Sequence, residues 1–108
     1  MKVYEGLRTV DGCEVTVDGR PLNMRLDLRK HSDRPEWGYA GGGPAQLALA
    51  LLADAIGDDV ATECHQKFKF KIVAGFERDG WILTQAEIRS WIGQLLNQGE
   101  GLTDDPVG

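Results

Sequence analysis

The stretch from Pro44 to Ile56 constrains what this chain can fold into more than any other. Pro44 suits the first turn of a helix, where its missing N–H costs nothing. Gly57 suits the position just past the end. From Ala45 to Ile56 only Gln46 and Asp54 are polar. Eight positions apart on a helix of about 3.6 residues per turn, they lie within about 80° of each other. Gln46, Ala50, Asp54 and Asp58 therefore trace one narrow strip, and every other direction is apolar. Such a helix is buried nearly all round. Exposure is expected only along Gln46–Ala50–Asp54, with Leu49 and Leu52 enclosed unless the helix completes its burial across a homodimer interface.

A chain of 108 residues is one domain. The ordered part is placed at 1–98, and the polar segment 99–108 is expected to be a flexible tail. With 17 acidic and 12 basic side chains the net charge is -5, which argues against bulk electrostatic binding of nucleic acid. The apolar run from Leu47 to Ala53 is far shorter than the ~20 residues that span a bilayer. No leader-like segment opens the chain, and the expected location is cytoplasmic. Cys13 and Cys64 are too few for a disulfide-rich scaffold.

Around the central helix the signals are those of an α+β fold. Asp11-Gly12 and Asp18-Gly19 are pairs that favour type I′ hairpin turns. Cys13 to Val17 alternates, and Leu22 to Arg29 alternates strictly, with Leu22, Met24, Leu26 and Leu28 on one side. With the β-rich opening from Lys2 to Val10, these make an antiparallel meander of three strands. His31 to Gly43 reads as a loop. Asp58 is placed as the cap of a second helix, with Asp59 in its first turn. Val60, Cys64, Phe68, Ile72 and Phe76 recur at helical spacing, although Lys67 to Ile72 also alternates like a strand; helix is the reading adopted. Trp81 to Leu83 is a short extended piece that can add a fourth strand. Thr84 and Glu87 form a capping box, Leu83 and Ile88 take the staple positions, and Ile88, Trp91, Ile92 and Leu95 make the core stripe of a helix ending at Asn97–Gly99. The three helices are expected on one face of the sheet.

Four groups are candidate sites. Gly41, Gly42 and Gly43 precede a helix N-terminus, which favours anions, and Arg29, Lys30, His31 and Arg34 lie just upstream. The run lacks a phosphate-loop ending, and close packing of the loop explains the glycines more simply. Trp37 and Tyr39 have the chemistry of an interface anchor or of a core plug. Cys64 and His65 are adjacent, so they point about 100° apart on a helix and chelate one metal poorly; no metal and no cofactor are expected. Asp54, Asp58, Asp59 and Glu63 form an acidic face suited to a basic partner, or simply to solubility. No nucleophile elbow, carboxylate pair or zinc-protease helix occurs, and the only serines, Ser32 and Ser90, have no catalytic context.

The segment Glu36-Trp37-Gly38-Tyr39-Ala40-Gly41-Gly42-Gly43-Pro44-Ala45-Gln46-Leu47-Ala48-Leu49-Ala50-Leu51-Leu52 resembles a small uncharacterised family, domain of unknown function 6166. Val3-Tyr4-Glu5-Gly6 and Asp79 to Thr84 extend the resemblance. The family supplies no activity, cofactor or site residue. What it implies is a small accessory protein of bacteria, phages or plasmids, of the kind that blocks host machinery such as a defence system. The leading expectation is thus a non-enzymatic protein-binding module acting by steric occlusion, through Trp37 and Tyr39 or the acidic face. A second is an anion or nucleotide-phosphate binder at Gly41–Gly43. A third is nucleic-acid binding through a sheet face bearing Arg25, Arg29 and Lys30.

Overall fold

The structure is a computed structural model that describes the backbone of residues 1–104 and the side chains of residues 1–97. Strands β1 (Val3–Thr9), β2 (Gly12–Val17) and β3 (Arg20–Pro21) are followed by helices α1 (Gly42–Ala55) and α2 (Asp58–Lys71). A 3₁₀ turn (Val73–Gly75), strand β4 (Gly80–Thr84) and helix α3 (Gln85–Asp104) complete the order. The four strands form an antiparallel sheet in the order β3-β2-β1-β4. This is the α+β fold expected, with the Trp81 segment as its fourth strand. β1 is the central strand, pairing Tyr4 with Val17 on one side and with Leu83 on the other.

Alternation sorts β1 into two faces. Tyr4 and Gly6 point inward with Val15 and Trp81, while Val3, Glu5 and Leu7 point outward. The buried cluster runs from these inward side chains to the leucines of α1, then to Ala61, Cys64 and Phe68 of α2 and Ile88, Ile92 and Leu95 of α3. Leu49 and Leu52 are enclosed, as their place on α1 requires. The polar strip is not open, however: Gln46 and Ala50 are fully buried, and only Asp54 at its far end is half-buried. Helical geometry located the strip correctly, but what faces it is loop and sheet instead of water.

The largest departure lies at 22–29. Only Arg20–Pro21 pairs with β2, and the alternating segment beyond it is not a strand. Arg25 takes φ 54°, the left-handed region, which breaks an extended run. Asn23 Oδ1 accepts the Arg25 N–H at 2.9 Å, closing a local turn. Leu22 stays buried and Leu26 is exposed.

The turns divide similarly. Asp18 and Gly19 both have positive φ, 51° and 82°, the type I′ signature. At the other pair the turn residues are Val10 and Asp11, because Thr9 pairs with Gly12 to close the hairpin. Gly57 has φ 151° and its N–H reaches Leu52 O at 3.1 Å, ending α1. The same glycine is the N-cap of α2, so Asp58, placed as that cap by sequence, is the first helical residue. The ambiguous 66–73 region is helix as far as Lys71 and then tightens into the 3₁₀ turn, short of the expected Phe76. The capping box is present: Thr84 N–H donates to Glu87 Oε1 at 2.8 Å, and Glu87 N–H to Thr84 Oγ1 at 3.1 Å. α3 runs past Asn97 and Gly99 to Asp104. The tail expected at 99–108 falls on residues of which only the backbone to 104 is described.

Candidate functional site

The polar groups that organise the molecule converge on the loop between β3 and α1. Gln46, with no exposed surface, sits under that loop. Its Nε2 donates to Met24 O at 2.6 Å and Arg29 O at 3.0 Å, and its Oε1 accepts from His31 N at 2.7 Å and Ser32 N at 3.2 Å. One buried amide thus satisfies four backbone groups. This is what holds 22–32 in its irregular path.

His31 makes the second attachment. Its Nε2 lies 2.9 Å from Nε2 of the buried His65. His65 Nδ1 faces the Ala61 carbonyl at 2.8 Å, so it carries the proton and leaves Nε2 as the acceptor. His31 Nε2–H is then the donor. Burial and the neighbouring His65, Arg29 and Lys69 push the His31 pKa below its usual 6.5. The folded state therefore prefers neutral His31, and its stabilising contribution is complete above pH 6.5 and is lost as the pH falls through the folded-state pKa. The melting temperature should start to fall on acidification below pH 6.5, before the carboxylates titrate, and His31→Gln should remove that early step. A profile identical in the variant would show that the pair contributes nothing.

On the other side of the loop, Arg8 and Glu36 form a two-pronged pair, Nη1 to Oε2 and Nη2 to Oε1, both 3.1 Å. Arg8 Nε and the Trp37 indole N–H both donate to Arg78 O at 2.9 Å. The guanidinium stands 5.1 Å over the Trp37 ring and holds the Glu36 carboxyl below its usual range. Burial and the Glu36 carboxylate push the Cys13 thiol up, so it is not an activated nucleophile. Two grooves meet at Glu36 and Tyr39. One, of about 380 Å³, is lined by Arg8, Trp37 and Arg78; the other, of about 390 Å³, by Cys13, Ser32, Arg34 and Gly43.

Several candidate residues are committed to structure. Trp37 is 2 % exposed and packs edge-on against Trp81 at 5.6 Å, whereas Tyr39 is exposed. A Cβ on Gly41, Gly42 or Gly43 would meet the Tyr39 ring at 2.7 Å, His31 O at 2.9 Å or Glu36 Cβ at 2.6 Å. The three glycines let the loop lie against the helix start. Arg34 reaches the groove beside Gly43, Lys30 pairs with Asp33 at 2.9 Å, and Arg29 lends its carbonyl to Gln46. Arg25 is in the loop, not on the sheet, and grips Asp27 and Asp58 together, with contacts of 2.8–3.0 Å. The basic sheet face expected from Arg25, Arg29 and Lys30 is therefore absent: the three belong to the loop. The acidic group is divided as well. Asp54 accepts from the buried Tyr4 hydroxyl at 2.7 Å and pairs with Lys2 at 3.3 Å, while Asp59 and Glu63 stay exposed. Burial, with Asp54 beside it, pushes the Tyr4 phenol pKa up.

Sequence reasoning missed the outer face of the sheet. The helices lie on the inner side, and outside Val3 is 41 %, Leu7 50 % and Ile82 67 % exposed. Pairing sets Ile82 beside Glu5, with Val3 and Leu7 on the diagonals and Glu14 beside Leu7. Glu5 and Glu14 have no ion-pair partner among the described residues, and no Lys or Arg points outward from β1, β2 or β4. The Val3-Glu5-Leu7 alternation is the one trace of it in the sequence, and it is too short to mark the face as unoccupied.

Among the described residues no cluster of three or more His, Cys, Asp or Glu side chains is placed to hold a metal ion. None of their helices is long and apolar enough to cross a membrane. Sheet, helices and clasped loop together define a small α+β domain whose sheet is covered on one side. The chain belongs to the family of unknown function DUF6166, whose model matches residues 4–94. No curated protein and no solved structure matches it.

Proposed function

We propose that this protein is a non-enzymatic binding module that docks a protein partner on the outer face of its sheet. The observation that supports this is the uncovered apolar group Val3, Leu7 and Ile82 around an unpaired Glu5. Contiguous exposed apolar surface ringed by polar groups is typical of a partner site. A lone carboxylate within it favours a partner that presents a Lys or Arg among apolar side chains. Occlusion of a host protein, as expected of an accessory inhibitor, would use this face in preference to Trp37 or the divided acidic group. The anion-binding reading has less support, since the glycines are filled by packing and Arg8 is already paired with Glu36.

Affinity capture from the host with wild type and with Glu5→Lys/Leu7→Lys tests the proposal. A stoichiometric partner, lost in the variant while the melting temperature holds, is the expected result. A partner retained by the variant, or no partner at all, overturns it.

A further inference from the structure

β4 forms the far edge of the sheet, and among the described residues no strand lies beyond it. Its hydrogen-bonding parity follows from two contacts: Arg8 N–H donates to Asp79 O at 3.0 Å, and Gln85 N–H to Lys2 O at 2.9 Å. The odd-numbered positions of β4 thus face β1, and Gly80, Ile82 and Thr84 face outward. Thr84 N–H is already taken by Glu87. That leaves four open backbone groups, the N–H and C=O of Gly80 and of Ile82. Natural edge strands are usually blunted by charge, proline or a bulge. Gly-Trp-Ile-Leu-Thr has none of these.

We infer that this edge pairs with β4 of a second copy of the chain, antiparallel about a two-fold axis at Trp81. In that register Gly80 of each copy faces Ile82 of the other, and two hydrogen-bonded pairs use all four open groups on each side. The exposed Ile82 side chain lies over the bare Cα of the partner's Gly80, so the bulky and the empty position match. Glu5 stands one strand back from the edge, roughly 16 Å from its counterpart, three strand spacings of ~4.8 Å across and two residues of ~3.4 Å along, beyond the screening length of about 8 Å at physiological salt. The result is an eight-stranded sheet with its outer face still free. A longer or tapered assembly is excluded because an isologous edge contact closes on itself.

Sedimentation equilibrium of the full chain over a wide concentration range, with amide exchange at Ile82, tests this. Wild type should be a dimer, with Ile82 N–H protection rising with concentration. Ile82→Lys should raise the dissociation constant about tenfold or more, the loss expected for a spoiled pair, without lowering the melting temperature of the monomer. A wild-type monomer at the highest concentration overturns the inference, as does a dimer indifferent to Ile82→Lys. These readouts need no external partner, so they fail separately from the docking proposal.

Discussion

Replacing Gln46 with leucine should cost about 3–5 kcal/mol, most of the stability of a small domain. Leucine keeps the volume and the helix propensity, so packing within α1 is little disturbed. What disappears is the partner of Met24 O, Arg29 O, His31 N and Ser32 N at once. A buried backbone group stripped of its partner costs about 1–3 kcal/mol, and relaxation of the loop toward water recovers part of the total. The midpoint of urea unfolding at constant slope measures the effect. The exposed Gln94 in α3 is the control, where the same substitution should change little. An unchanged midpoint for Gln46→Leu would show that the loop is held by something else.

Gly6→Ala should be nearly as damaging, by about 3 kcal/mol, for a steric reason. A Cβ at position 6 would fall within the Trp81 indole. Trp81 cannot step aside. It is stacked on Phe76 at 4.4 Å and met edge-on by Trp37 at 5.6 Å. The added methyl must therefore push β1 and β4 apart or expel the ring. Trp81 Nε1 is already buried without a hydrogen-bond partner among the described residues, so the ring is held in place by shape. Near-ultraviolet dichroism should report the loss of the ordered tryptophan cluster along with the lowered melting temperature. Gly93→Ala in α3 has open space around its Cβ and should instead stabilise by roughly 0.5–1 kcal/mol, as expected for a helix interior. A Gly6 variant as stable as wild type would refute the packing argument.

What was legible in the chain divides by range. The extent of α1, the capping box of α3, the Asp18-Gly19 turn and the Trp81 strand are written in neighbours a few residues apart, and each is present. The failure at 22–29 has the opposite origin. Its alternation is genuine, yet the conformation is decided by a glutamine seventeen to twenty-two positions away from the carbonyls it binds. The Arg8–Glu36 and His31–His65 pairs are likewise joined only by the fold, across 28 and 34 positions. No local period announces such contacts. The glycine run has a packing use that its position before a helix allows, and the contacts at Gly41, Gly42 and Gly43 supply its detail. The outer sheet face escaped notice because Val3, Glu5 and Leu7 alternate over too few residues to separate a wet face from an unoccupied one.

The place of β1 in the middle of the sheet has a consequence for how the protein is made. β1 leaves the ribosome ahead of the other strands and finds β2 at once across a two-residue turn. Its other neighbour, β4, is synthesised some eighty residues later, since Val3 pairs with Thr84. Contacts at such separation close late, whereas α1 and α2, joined at Gly57, can pack as soon as both have emerged. For most of its synthesis the nascent chain therefore holds β1, β2 and the short β3 with one side of its future central strand unpaired, beside a helical pair that lacks part of its covering. Translation pausing before Gly80 would prolong that state, and it is there, more than in the finished molecule, that a chaperone or an aggregation partner would find its opening.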